Sequence, residues 1–255
     1  MVLDILSLTY LLLEDVSLIF NILLFYVLLK HWQKAKNLSF VFLLSFSGID
    51  IIISIIRIFS YSINLRTMSI GGSETLTISI LSFLSSGFFL LFIDYFENKE
   101  ISPFRLSFFT GLVGFFIAGR IVFRLHNEVR SLTIALVGTE LYYSVYTFIS
   151  MVPIFFNVTN FVVSYLVLRR CIEKLDDSTH EAQFKMLQLA AFFLYMFSYI
   201  FITIGNFLWD LGFMNELVNL LNNIIPIISN IVGIIVLWYI FSKDDLIEYW
   251  NEKIS

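Results

Sequence analysis

Few ionisable side chains fall inside the long apolar runs of this chain, and the spacing of three of them invites chemistry. Asp50 and Arg57 stand two helical turns apart, so together with Ser54 they share one face of a helix. Glu14 lies in the preceding run at a depth similar to that of Arg57, so an ion pair between them is expected. A charged group inside hydrocarbon is expensive, so each one points to a partner or a site. Counting about 1.5 Å per residue along each run sorts the remaining polar residues into two layers. The middle layer holds Asn21, Asp50, Ser85, Ser86, Asn157, Asn160 and Asn230. The outer layer holds Glu14, Asp15, Arg57, Arg120, Arg124, Asn206 and Asp210, with Asn219, Asn222 and Asn223.

Three readings of the middle layer stay open: a cation or water cluster at an ionised Asp50, a protonated carboxyl held by hydrogen bonds, or plain interhelical bonding by Asn and Ser. The outer layer suggests a water-accessible pocket for a small polar or anionic ligand, lined by Glu14, Asp15, Arg57, Arg120, Arg124 and Asn206. Arg120 and Arg124 alternatively snorkel to outer headgroups.

The elements that must position these groups follow from composition. Of 255 residues, 58% are hydrophobic and 14% charged, too little polar surface for a water-soluble globule. A transmembrane helix takes about 20 apolar residues. Apolar runs lie near Leu8 to Leu29, Ser39 to Ile63, Thr75 to Phe96, Leu106 to Phe123, Tyr142 to Leu168, Leu187 to Leu211 and Leu217 to Phe241. The expected fold is therefore an all-α integral membrane bundle of seven transmembrane helices over residues 1–241. Ser242 and Asp245 have capping-box spacing, and Leu246, Ile247, Trp250 and Ile254 fall on one face, so residues 242–255 are expected to form a short amphipathic helix on the inner leaflet. No basic residue precedes the first apolar run, so the start is read as the first helix and not as a cleaved leader.

Basic residues accumulate on the cytoplasmic side. Lys30, Lys34, Lys36, Lys99, Arg105, Arg169, Arg170, Lys174, Lys185, Lys243 and Lys253 fall at one end, against Arg57, Arg66, Arg120, Arg124 and Arg130 at the other. The N-terminus is then expected outside and the C-terminus in the cytoplasm. Of the outer connections, Asn64 to Glu74 carries Gly71 and Gly72 and is expected to be flexible. The apolar stretch Leu132 to Val137 is expected either to cover the bundle mouth or to lie on headgroups. Pro226, among Asn222, Asn223 and Asn230, suggests a hinge in the seventh helix, and Pro153 a weaker one in the fifth.

Other chemistries lack their residues. All eight lysines lie in connections or tails, so no retinal Schiff base is expected within the bundle. His31, His126 and His180 are assigned to three separate connections, which argues against a zinc-hydrolase site. No GxSxG, HExxH or glycine-rich phosphate loop occurs. No catalytic residue, metal, cofactor or enzymatic activity is expected. Cys171, the single cysteine, is read as an interfacial thiol or a palmitoylation site, and net charge −4 gives no sign of nucleic acid.

Two resemblances add to this reading. The stretch FFLLFIDYFENKEISPFR, Phe88 to Arg105, resembles the third-helix exit of the seven-helix sensor region at the N-terminus of many microbial histidine kinases, and the connection from Arg169 through Gln183 and Lys185 is similar in layout. The sequence reaches Ser255 without a kinase domain, so output through a separate protein is expected. Leu44, Ser45 and Asp50 resemble the second-helix region of G-protein-coupled receptors, and Asp94 and Tyr95 their third-helix turn without its arginine. The cysteine pair of that family is absent, and Pro226 does not match its NPxxY end.

The asymmetric placement of the polar residues, together with the absence of an output domain, leads to the expectation of a receptor-like sensor in the cell membrane, with a small ligand in an outer polar pocket and signalling through cytoplasmic loops. Arg169, Arg170 and Lys174 are the expected contact with a cytoplasmic signalling protein. The other expected partners are the lipid bilayer and a second copy of the chain in a homodimer. A small transporter or ion channel using the layer around Asp50 is the alternative.

Overall fold

In hydrocarbon a backbone amide has no water to bond, so an apolar chain satisfies its own N–H and C=O groups as helix. The computed structural model describes residues 5–64, 72–98, 103–128, 139–175, 178–210, 217–218 and 220–243, and side chains for most of these. Seven helices account for nearly all of them. They are α1 (Ile5–Ala35), α2 (Leu38–Asn64), α3 (Gly72–Asn98), α4 (Pro103–Glu128) and α5 (Thr139–Ile172). α6 runs Ser178–Ala191, passes through a π-helical segment Phe192–Phe197 and continues as Ser198–Asp210; α7 comprises a π-helical segment Leu220–Ile224 and Ile225–Lys243.

Four stretches are long and apolar enough to cross a membrane: Leu8–Lys34, Leu38–Ser60, His180–Gly205 and Leu220–Ser242. Shorter apolar stretches occupy Ile80–Tyr95 in α3 and Leu106–Ala118 in α4. At 31 residues α1 is about 46 Å long, well beyond the ~30 Å hydrocarbon core.

Several helices therefore outrun their apolar stretches. α6 begins at Ser178, ahead of the expected Leu187, because its first turns are amphipathic: Phe184 and Leu187 are fully buried while Lys185 pairs with Glu181 on the exposed face. After α5 the chain turns through Glu173, Lys174 and Leu175, with backbone bonds back to Arg169, Cys171 and Ile172. Cys171 is 0% exposed within the apolar core, which corrects its reading as an interfacial or lipidated thiol. The outer stretch Leu132 to Val137, Gly71, and the proposed helix from Asp244 onward lie outside the described residues.

Packing partners run in a closed ring, α1–α2–α3–α5–α6–α7 and back to α1, with α4 outside it against α3 and α5. A stack of three rings holds α4 there. Phe83 of α3 lies 4.8 Å from Phe116 of α4 and 4.1 Å from Phe156 of α5. Elsewhere α4 exposes Phe104, Phe108 and Phe115, as a lipid-facing helix does.

At the basic end the turn between α1 and α2 is built from local chemistry. Lys36 takes a left-handed backbone (φ 49°) and donates its N–H to the Trp32 carbonyl, ending α1, and the Asn37 side chain accepts the N–H of Ser39, starting α2. His31, assigned to a connection by sequence, is still within α1. Its ring stacks on Phe40 at 5.5 Å, and its Nε2–H donates to the Phe241 carbonyl at 2.8 Å. That carbonyl is among the last four of α7, which have no partner within the helix. Substituting alanine at His31 is expected to lower unfolding free energy by about 1–2 kcal/mol, read in a detergent denaturation titration; a change near zero would mean that water replaces the imidazole.

Candidate functional site

The ring of helices encloses a cavity of about 280 Å³. α1 contributes Tyr10; α2 contributes Phe46, Asp50, Ser54 and Arg57; α3 contributes Ser82, Ser85 and Ser86; and α5 contributes Asn157. α6 supplies Leu194, Tyr195, Ser198 and Tyr199, and α7 supplies Asn222, Asn223, Pro226 and Asn230. Residues from the two expected polar layers thus line one continuous space, because the Asp50–Ser54–Arg57 face of α2 spans both and turns inward as a unit.

At the middle of the cavity wall, Ser85 Oγ donates to Asp50 Oδ1 at 2.6 Å. Ser86 Oγ donates to Asn157 Oδ1 at 3.2 Å, and Asn157 Nδ2 donates to the Tyr199 hydroxyl at 2.7 Å, which ties α3, α5 and α6 together. Nearer the mouth, Arg57 Nη1 donates to Glu14 Oε1 at 3.0 Å; the glutamate is 1% exposed and the arginine 28%. The guanidinium lines the cavity, and the carboxylate sits behind it.

Not every residue expected at the site faces this space. Asn21 is buried against α2, where its side chain donates to the Ser17 carbonyl and its own carbonyl accepts from Ser47. Asn160 donates to the Ser86 carbonyl at 3.2 Å. Only the Asn160 side chain joins two helices, and neither residue lines the cavity. Asp15 is half-buried and also outside the lining. The side chains of Arg120, Arg124 and Asn206 lie outside the described residues. Arg169 is paired with Glu173 on the exposed surface at 3.1 Å, and Arg170 and Lys174 are exposed beside it at the basic end.

Tyr10, Tyr195 and Tyr199 escaped the sequence reading. Tyrosines in aromatic-rich helices pass for interfacial anchors, and the one available signal was the i, i+4 spacing of Tyr195 and Tyr199 on α6. Tyr195 is 3% exposed, lines the cavity, and its hydroxyl has no hydrogen-bond partner among the described residues.

Two further features shape the cavity. Its end toward the basic face is closed by aromatic rings: Phe89 lies 5.6 Å from Phe46 and 5.3 Å from Tyr195, and Phe92 packs between Phe89 and Phe241. Phe89 and Phe92 are 0% exposed, so this floor is dry. Both π-helical segments also border the cavity, Phe192–Phe197 through Leu194 and Tyr195, and Leu220–Ile224 through Asn222 and Asn223. A π turn carries an extra residue in the helical register and often marks a functional site. Ser229 of α7 donates to the Phe193 carbonyl inside the first segment, coupling the two helices there. Pro226 lies two residues beyond the end of the second segment, so a register change sits beside the proline from which a hinge was expected.

Among the described residues, the arrangement offers a small chamber with one carboxylate facing it, hydroxyl and amide groups around that carboxylate, and an ion pair near its mouth. No protein-family model, curated protein or solved structure matches this chain.

Proposed function

We propose that the chain is a seven-transmembrane receptor-like sensor of the cell membrane, with its N-terminus outside and its C-terminus in the cytoplasm. A small ligand enters the cavity from the outer side and shifts the packing of α6 and α7. The basic end, with Arg169, Arg170 and Lys174, conveys the change to a separate cytoplasmic protein. The observation that carries this reading is the one-sided cavity: polar groups, including the partly exposed Arg57 and the exposed Asn223, lie toward one end, and the Phe89–Phe92 floor seals the other. A transport path would have to open through that floor. The π-helical segments on α6 and α7 support the choice of moving elements, since a register with one residue too many has a nearby alternative packing.

Cysteine labelling tests the reading. In a Cys171→Ala background, Ser54→Cys and Asn223→Cys are treated with a membrane-impermeant thiol reagent in vesicles of known orientation. Reaction is expected only from the outer face. Reaction from both faces would replace the sensor by a small transporter or channel built around Asp50, and two unreactive sites would remove the pocket altogether.

A further inference from the structure

The charges around the cavity do not cancel. Arg57 is engaged by Glu14 at 3.0 Å, so the one guanidinium at the wall has its counter-ion already. Asp50 has no such partner: its one hydrogen bond among the described residues comes from Ser85, through Oδ1, and leaves Oδ2 to the cavity. The described groups at the wall and directly behind it, Asp50, Arg57 and Glu14, thus carry one more negative than positive charge when ionised. An anionic occupant, one of the classes expected from sequence, would meet a carboxylate with no cation to spare among the described residues. A cationic one would complete the balance.

A second observation points the same way. The Tyr195 side chain borders the cavity, and its hydroxyl is buried without a partner among the described residues. Desolvating a hydroxyl without a hydrogen bond is unfavourable, so an occupant that bonds to it is favoured. An ammonium nitrogen has three donors and matches this set: one for Asp50 Oδ2, one for the Tyr195 oxygen and one for a neighbouring serine or asparagine oxygen. Size narrows the class. At about 280 Å³ the space lies just below the ~300 Å³ where ligand pockets begin, so it suits a small organic molecule and is far larger than a bare alkali ion requires.

We propose that the cavity binds a small organic ammonium ion, with its nitrogen held between the Asp50 carboxylate and the Tyr195 phenol. The assignment rests on reading the cavity as a ligand pocket and adds the charge and class of what enters it.

The test uses the purified full chain in detergent micelles. Cys171, the single cysteine and fully buried, reports unfolding by reacting with a thiol-sensitive fluorophore on heating. Propylammonium, 1-propanol, propionate and sodium are compared at equal concentration and ionic strength. Propylammonium alone is expected to raise the melting temperature, by about 2–4 °C near saturation. The rise is expected to vanish in Asp50→Asn and to shrink in Tyr195→Phe, which keeps the ring and with it the packing on Phe89. An equal rise with propanol, propionate or sodium, or a propylammonium rise that persists in Asp50→Asn, would overturn the ammonium assignment. So would the absence of any shift in the wild-type chain. None of these results touches the pocket reading, which the cysteine-labelling pattern decides without regard to ligand charge.

Discussion

Replacing Arg57 with methionine is expected to lower the unfolding free energy by about 3 kcal/mol, the largest loss from any single polar substitution among the described residues. The reason lies in its partner. Glu14 is 1% exposed, and its second carboxylate oxygen already has no hydrogen-bond partner among the described residues. Without the guanidinium, the carboxylate stands in a low-dielectric environment with nothing to offset its desolvation. Breaking a buried pair from one side typically removes about 3–5 kcal/mol, and the 28% exposure of Arg57 places this pair at the lower end. The reverse change is milder. Glu14→Gln leaves an arginine that still reaches the cavity, so a loss of about 1–2 kcal/mol is expected. The double variant Glu14→Leu with Arg57→Met is expected to recover most of the loss, because removing both charges removes the desolvation term as well. Titration from a mild detergent into sodium dodecyl sulfate, followed by helical signal, measures all three. An Arg57→Met variant within about 0.5 kcal/mol of the parent would mean that the pair is solvated and contributes as a surface pair does.

Gly233→Ala is expected to be the most damaging of the small apolar changes. A β-carbon at this position would sit 2.7 Å from Leu194 Cγ and 2.8 Å from its Cδ2, with the Ala190 carbonyl oxygen at 3.4 Å. α6 and α7 meet here with no room for a methyl group. Overpacking a well-filled interface costs about 1–3 kcal/mol. In lipid no hydrophobic term offsets this, since an apolar side chain leaves one hydrocarbon for another and only packing is gained or lost. Leu194 also lines the cavity beside Tyr195, so the strain is expected to reach the site and reduce the thermal shift produced by propylammonium. Leu194→Ala in the same chain makes room for the new methyl. The double variant is expected to be more stable than the sum of the two single losses predicts, which a double-mutant cycle reads as a coupling of about 1 kcal/mol or more. Additive losses would show that the helices separate without resistance. Gly205 is a second close approach, where a β-carbon would overlap the Asn222 side chain at the cavity mouth.

What could be read from the sequence alone was one-dimensional. The apolar runs determined which segments are helices, because the backbone of an apolar chain has no alternative to internal hydrogen bonding. Rise per residue determined depth, and depth put Glu14 level with Arg57 and Asp50 level with Ser85, two pairs that are in contact at 3.0 and 2.6 Å. The same count placed Asn21 and Asn160 in the layer with Asp50, yet the side chain of one bonds back within α1 and that of the other caps a carbonyl of α3. Depth says nothing about azimuth. Which way a residue faces depends on how helices interdigitate, and that is decided by rings such as Phe83, Phe116 and Phe156, whose stacking leaves α4 outside the ring.

Only the tertiary structure merged the two polar layers into one cavity and closed it below with Phe89 and Phe92. It also brought Tyr195 to the wall, since the π turn at Phe192–Phe197 alters the register from which a regular helix would be extrapolated. Asp50 therefore remains the residue from which the chemistry is argued. Its chain position and depth were legible in the sequence, while its lack of an ion-pair partner among the described residues depends on Arg57 being engaged by Glu14, a contact between two helices that no local pattern specifies.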